Sequence, residues 1–137
     1  MRVDLLVRGI CCLRPGVPGL SENIRVVSIV GRYLEHSRAF YFQNAPPDKR
    51  VYLGSADMMR RNLYNRVELL TPVEDEANRR QLSDVLDRSF ADNTGAWELG
   101  GDGVWSRLTT NGDPPRSVQN ELLDLHAERA KEVARTV

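Results

Sequence analysis

"RVDLLVRGICCLRPGVPGLSENIRVVSIVG", residues 2–31, holds two apolar, β-branched runs on either side of a loop dense in glycine and proline. In "RVDLLVRG" the apolar residues are bracketed by charge and followed by Gly9, which predicts a short buried strand ending at Arg8. The stretch "CCLRPGVPGLSEN" reads as a loop, because its prolines lack an N–H and its glycines loosen the backbone. "IRVVSIVG" then predicts a second strand, leading into the segment that carries His36.

Outward from this pair, residues 36–42 are aromatic and apolar enough for a strand, ended by the turn cluster "QNAPPDK". "VYLGS" predicts a strand stopping at Gly54, "ADMMRRNLYNR" a loop or short helical turn, and "VELLTPV" a strand ended near Pro72. Residues 75–90, "DEANRRQLSDVLDRSF", place Leu82, Val85, Leu86 and Phe90 on one helical face opposite charge, which predicts a surface helix on a sheet. Strands mixed with such a helix make an α/β domain over residues 1–92. Residues 93–137 are expected to add a C-terminal arm and helix. In this region "WELGGDGVWSRLTTNGDPP" reads as a small hairpin or extended arm. Ser117 is placed to cap a last helix with Leu122, Leu125, Ala130 and Val133 as a broken apolar stripe.

Composition narrows the function classes. With 41% hydrophobic and 28% charged residues the chain is expected to be a soluble globular domain, and no apolar run approaches the about 20 residues that span a bilayer. The N-terminus lacks a signal-peptide pattern, which points to the cytoplasm. Cys11 and Cys12 are adjacent, a poor geometry for a mutual disulfide and no metal-ligand spacing, so they are expected as reduced, partly buried thiols. His36 and His126 lie in no zinc-like cluster, so no metal site made wholly by this chain is expected, and His126 reads as a surface residue.

Charge is uneven. Residues 1–66 carry eleven Lys/Arg against five Asp/Glu, and residues 67–137 eight against fourteen, so the first half is the candidate anion-binding half. Seventeen of the nineteen basic residues are arginines, whose planar forks match phosphate oxygens in pairs. That half holds Arg8, the His36-Ser37-Arg38 triplet, "GSAD" at 54–57, and Arg60, Arg61 and Arg66. An imidazole can pass a proton near neutral pH. Backbone N–H groups and a hydroxyl at a strand end can receive an anion. Phosphoryl transfer needs mainly positioning and charge neutralisation, and these are its ingredients. Read singly, each has a plainer explanation: a solvated histidine, a strand-end salt bridge at Arg8, a common turn with Asp57 as a helix N-cap, and Met58 and Met59 as core filler.

Taken in order, "VDLLVRGICCLRPGVPGLSENIRVVSIVGRYLEHSRAFYF" and "VYLGSADMMRRNLYNRVELLTPV" closely resemble the C-terminal catalytic domain of the large, phosphohistidine-forming polyphosphate kinases, over about residues 3–73 and more loosely to Phe90. The resemblance implies an α/β fold like that of phospholipase D, a mixed sheet flanked by helices, with a C-terminal helical tail. In a phospholipase-type half-site an H-x-K precedes a Gly-Ser pair. Here His36-x-Arg38 and Gly54-Ser55 stand in comparable places, with arginine for lysine.

The implied activity is reversible transfer of the terminal phosphate of ATP to inorganic polyphosphate, with the histidine nucleophile on a preceding domain absent from this chain. By the resemblance His36 is catalytic and contacts the nucleotide, and Arg8 binds ATP phosphates. Arg38, Ser55, Arg61 and Arg66 are candidate polyphosphate contacts, the arginines on charge alone. Mg²⁺ is the implied cofactor, with ligands mostly outside this chain. The implied partners are ATP or ADP, polyphosphate, the remaining domains and, in the full-length enzyme, further copies of itself. The implied place is the cytoplasm, the periphery of the inner membrane included.

Many relatives have tryptophan and proline where this chain has Met58 and Arg60, and aspartate at Tyr64; the methionine version resembles the actinobacterial branch. A methionine directly before an apparently central strand is expected of a piece cut from a longer chain. Two other readings stay open: a phospholipase D-like phosphodiesterase half-site acting as a dimer, and a non-catalytic polyphosphate or nucleic-acid binding module.

Overall fold

A computed structural model describes residues 1–136, which form two compact units. One comprises residues 1–34 with the chain from Arg88 onward, and the other spans Glu35–Asp87.

In the first unit β1 (Val3–Leu6) and β2 (Ile24–Ile29) are parallel neighbours, in register from Val3↔Ile24 to Leu6↔Val27. The Val7 N–H extends the ladder to the Val27 carbonyl at 2.8 Å, so β1 stops just short of Arg8. Parallel neighbours need a long crossover, usually a helix. Here residues 7–23 make it without one, and Ser21 holds it together. Its buried hydroxyl donates to the Arg14 carbonyl (2.5 Å) and accepts from the Val17 N–H (3.1 Å). Gly16 turns the loop at φ 72°, in the left-handed region open to glycine.

The tryptophan segment does form a hairpin, of β6 (Ala96–Leu99) and β7 (Trp105–Arg107). Strand β6 pairs antiparallel with β2, Ile29 opposite Ala96 and Val27 opposite Glu98, giving the sheet order β1-β2-β6-β7. Val26, Val27 and Ala96 are wholly buried there, with Leu99 close behind. Consecutive buried valines mean that β2 is covered on both faces, and each such side chain contributes about 1.5–3 kcal/mol. Arg25 and Glu98 pair across β2 and β6 at 3.0 Å.

The last helix, α3 (Val118–Thr136), starts where Ser117 predicts: the Ser117 carbonyl accepts the Glu121 N–H. The side chain that caps it is Asp92, whose buried carboxylate accepts the N–H groups of Thr94 (2.9 Å), Gly95 (2.7 Å) and Val118 (2.8 Å). The apolar stripe is half-buried only at Leu122 and Leu125; Ala130 and Val133 are exposed.

The second unit is an antiparallel meander of β3 (Ala39–Tyr41), β4 (Val51–Gly54) and β5 (Leu70–Pro72), with α1 (Arg60–Asn65) between β4 and β5. Strand β3 begins three residues later than the sequence predicts. His36, Ser37 and Arg38 form its irregular lead-in, although the Arg38 carbonyl still accepts the Gly54 N–H at 2.8 Å. Gly54 sits where strands crowd: a Cβ there would meet Phe40 at 3.2 Å and Leu70 at 3.3 Å. The "QNAPPDK" turn holds a 3-10 turn at Pro47–Lys49, and Arg50 closes it by donating to the Ala45 carbonyl.

Helix α2 (Glu76–Ala91) is capped by Asp75, whose carboxylate accepts the Asn78 N–H at 2.8 Å, and it passes from the second unit into the first. Leu82, Val85, Leu86 and Phe90 are half-buried, as its periodicity predicts. No helix among the described residues is long and apolar enough to cross a membrane.

Candidate active site

Four of the predicted site residues lie in the second unit beside His36, and Arg8 lies in the first. His36 is exposed and stands in an irregular stretch ahead of β3. Arg38 is held on two sides. Its Nε donates to Asp57 Oδ1 at 3.1 Å and its Nη1 to the His36 carbonyl at 2.7 Å, with a quarter of the side chain exposed. Asp57 is therefore an ion-pair partner. The N-cap of α1 is Met59, which offers no side-chain cap.

The glycine-serine turn is also tied internally. The N–H groups of Gly54 and Ser55, which the sequence suggests for an anion, donate to the carbonyls of Arg38 and Leu69. The Ser55 hydroxyl accepts from the Leu69 N–H at 3.0 Å and donates to Glu68. Glu68 also accepts from the Asn62 amide at 3.0 Å. The Ser55 hydrogen bond first, and the Asn62 amide next, hold the Glu68 carboxyl below the ordinary range of a glutamate; the charges of Arg66 and Arg38 add to this, while burial opposes it.

Asn62 is buried with its Oδ1 unpartnered, and α1 turns this polar residue inward while Leu63 and Tyr64 face solvent. Nothing in "RRNLYN" signals that inversion, because Glu68 lies outside the helix. Met58 (75% exposed) and Met59 (46% exposed) are surface residues, not core filler. The interior of this unit is small, with Val51 as its fully buried apolar side chain.

Arg61 and Arg66 are exposed and make no salt bridge among the described residues. Arg32, which the sequence sets near His36, places its guanidinium over the Tyr33 ring at 5.4 Å. Arg8 is exposed just beyond β1. Neither cysteine is in a disulfide; Cys11 is half-buried as expected, but Cys12 is exposed because the loop turns it outward. His126 is exposed on α3, as expected. The cleft along α2, lined by Tyr41, Arg50, Val51, Arg79 and Ser83 among others, contains none of the predicted site residues.

The arrangement offers an exposed imidazole whose backbone is tethered to a half-buried ion pair, in a unit that also exposes the guanidiniums of Arg61 and Arg66. It can present a proton-transfer group and positive charge to a phosphate chain. The family model of the polyphosphate kinase C-terminal domain 2 matches residues 1–119.

The chain belongs to that family.

Among curated relatives, the chain is similar to the polyphosphate kinase of Streptomyces coelicolor, 54% identical over 93% of this chain and 17% of the relative. It is similar also to polyphosphate kinase 1 of Chlorobaculum tepidum, 49% identical over 96% of this chain and 18% of the relative. The crystal structure of polyphosphate kinase from Porphyromonas gingivalis superposes with a TM-score of 0.86 at 38% identity, covering 96% of this chain and 20% of that one. The chain thus spans about a fifth or less of the polyphosphate kinases it matches, as a C-terminal-domain fragment of such an enzyme would. Its mixed α/β architecture, with sheets flanked by helices and a C-terminal helix, is the one expected from the sequence.

Proposed function

We propose that this domain forms one side of a phosphoryl-transfer site, in which the terminal phosphate of ATP passes reversibly to inorganic polyphosphate through a phosphohistidine carried elsewhere in the full-length polypeptide. His36 faces that phosphohistidine, contacts the nucleotide phosphates and moves a proton or supports the transition state. Arg8 steadies the nucleotide phosphates. Arg61 and Arg66, the open guanidiniums, hold the polyphosphate chain bidentately. Ser55, whose hydroxyl is committed to Glu68 and Leu69, shapes the turn beside them. The single observation that carries this reading is the exposed His36, its carbonyl held by Arg38, in a chain of this family.

Mg²⁺ would supply further charge neutralisation when bound. The donors present do not suit a resident ion. The described residues contain no group of three or more His, Cys, Asp or Glu able to hold one, and Asp57 and Glu68 are already engaged. We assign its ligands mostly to the substrates and to other parts of the enzyme. Those other domains, and further copies of the full-length chain, are the partners we assign, in the cytoplasm.

The test is His36→Ala in a full-length enzyme containing this domain. Loss of phosphoryl transfer by about 10²–10⁴-fold with an unchanged melting temperature is expected of a proton-transfer group. Full activity would refute the role. The isolated chain should bind polyphosphate weakly and in a salt-dependent way, and turn over ATP negligibly.

A further inference from the structure

The geometry points to Arg38 as the positioning residue for His36, anchored by Asp57, instead of a ligand of the phosphate chain. This rests on the role proposed for His36. Arg38 joins the histidine segment to the glycine-serine turn at two points and braces that segment at a third. Its carbonyl accepts from Gly54 (2.8 Å), its Nε donates to Asp57 (3.1 Å), and its Nη1 donates to the His36 carbonyl (2.7 Å). His36 lies ahead of β3, where no strand pairing fixes the backbone, so a bond to its carbonyl limits where the imidazole can stand.

The charge argument agrees. Asp57 faces the guanidinium with the two side chains only 25% and 29% exposed, so the pair presents little net charge to a phosphate. Arg61 and Arg66, by contrast, are exposed.

The arginine that stands where a phospholipase-type half-site has lysine acquires a reason of its own. A planar fork with donors at fixed angles can engage a carboxylate and a carbonyl at once, while an ammonium is a compact point charge on a flexible stem. Arg38 uses its fork on two acceptors of the protein itself. A displacement of the imidazole by about 1 Å can cost about 10²-fold in rate, so this clamp has catalytic weight without touching substrate.

The test uses the full-length enzyme with Asp57→Asn, Arg38→Lys, the double variant, and His36→Ala as reference. Steady-state kcat and KM for ATP and for polyphosphate are measured, with melting temperature as the control for folding. Asp57→Asn and Arg38→Lys are each expected to lower kcat by about 10- to 10²-fold with KM for polyphosphate within about twofold, and the double variant to be no worse than the worse single. A raised polyphosphate KM with kcat intact in Arg38→Lys, or an unchanged kcat in Asp57→Asn, overturns the inference.

Should Arg38→Lys prove poorly folded, Arg38→Ala with added methylguanidinium replaces it. Recovery of kcat that disappears when Asp57→Asn is added supports the clamp, and absence of recovery overturns it. An active His36→Ala would defeat the function proposed above. An inactive His36→Ala beside a normal Asp57→Asn would defeat only the positioning role.

Discussion

Removing the Asp92 carboxylate should cost more stability than any single change on the surface. The side chain is 2% exposed and accepts three backbone N–H groups, from Thr94, Gly95 and Val118. Asp92→Ala deletes the cap of α3, worth about 1 kcal/mol. It also strands two turn donors at about 1 kcal/mol each, for about 3 kcal/mol in all. For a chain of this size that is roughly 12 °C in melting temperature. Asp92→Asn keeps one acceptor oxygen and should fall between the two, near 1–2 kcal/mol. Urea unfolding followed by the fluorescence of Trp97 and Trp105, both on the β6–β7 hairpin, reads the transition directly. A loss below about 1 kcal/mol for the alanine variant, or equal losses for alanine and asparagine, would show that water replaces the carboxylate and refute the capping argument.

Glu121 gives a pH dependence. Its carboxyl is held below the ordinary glutamate value of 4.5, first by the hydrogen bond from Arg116 and then by that from Arg88, with burial opposing. A depressed folded pKa means stability that is present above about pH 4.5 and lost as pH falls through the lower folded value. With Glu121 24% exposed, Glu121→Gln should cost about 1 kcal/mol at pH 7, and the gap to the parent should narrow as the pH falls below the ordinary glutamate value; a gap that stays constant on acidification contradicts the assignment. At Gly31 any Cβ would collide with Gln119 Oε1. Gln119 accepts from the Tyr33 N–H (3.0 Å) and donates to the Tyr33 carbonyl (2.7 Å), so Gly31→Ala should break both bonds and cost about 1–3 kcal/mol, measurable by the same unfolding. Normal stability there would mean that Gln119 yields freely.

Local pattern carries the elements whose identity depends on their own residues. The short apolar runs "VDLL", "IRVVSI" and "VYLG" become β1, β2 and β4, and the face of Leu82, Val85 and Leu86 becomes α2. The site is legible in part. His36 and Arg8 follow from the family resemblance, while the partners of Arg38 do not, because Asp57 meets it only once β3 and β4 are paired and the bond back to the His36 carbonyl leaves no mark in the sequence. Residues 36–38 are a lead-in and not strand, because aromatic content reports propensity and not where pairing stops.

By itself the sequence determined the strand and helix inventory, the basic first half and the family. Only the tertiary structure decided that β6 would lie beside β2, that two sheets would form, that Asn62 and Asp92 would be buried while Met58 and Met59 would not, and that Arg38 would turn inward. The reason is physical. Periodicity along a segment records the environment of that segment alone, whereas a hydrogen bond between distant residues depends on which loops close and how much interior each unit can offer.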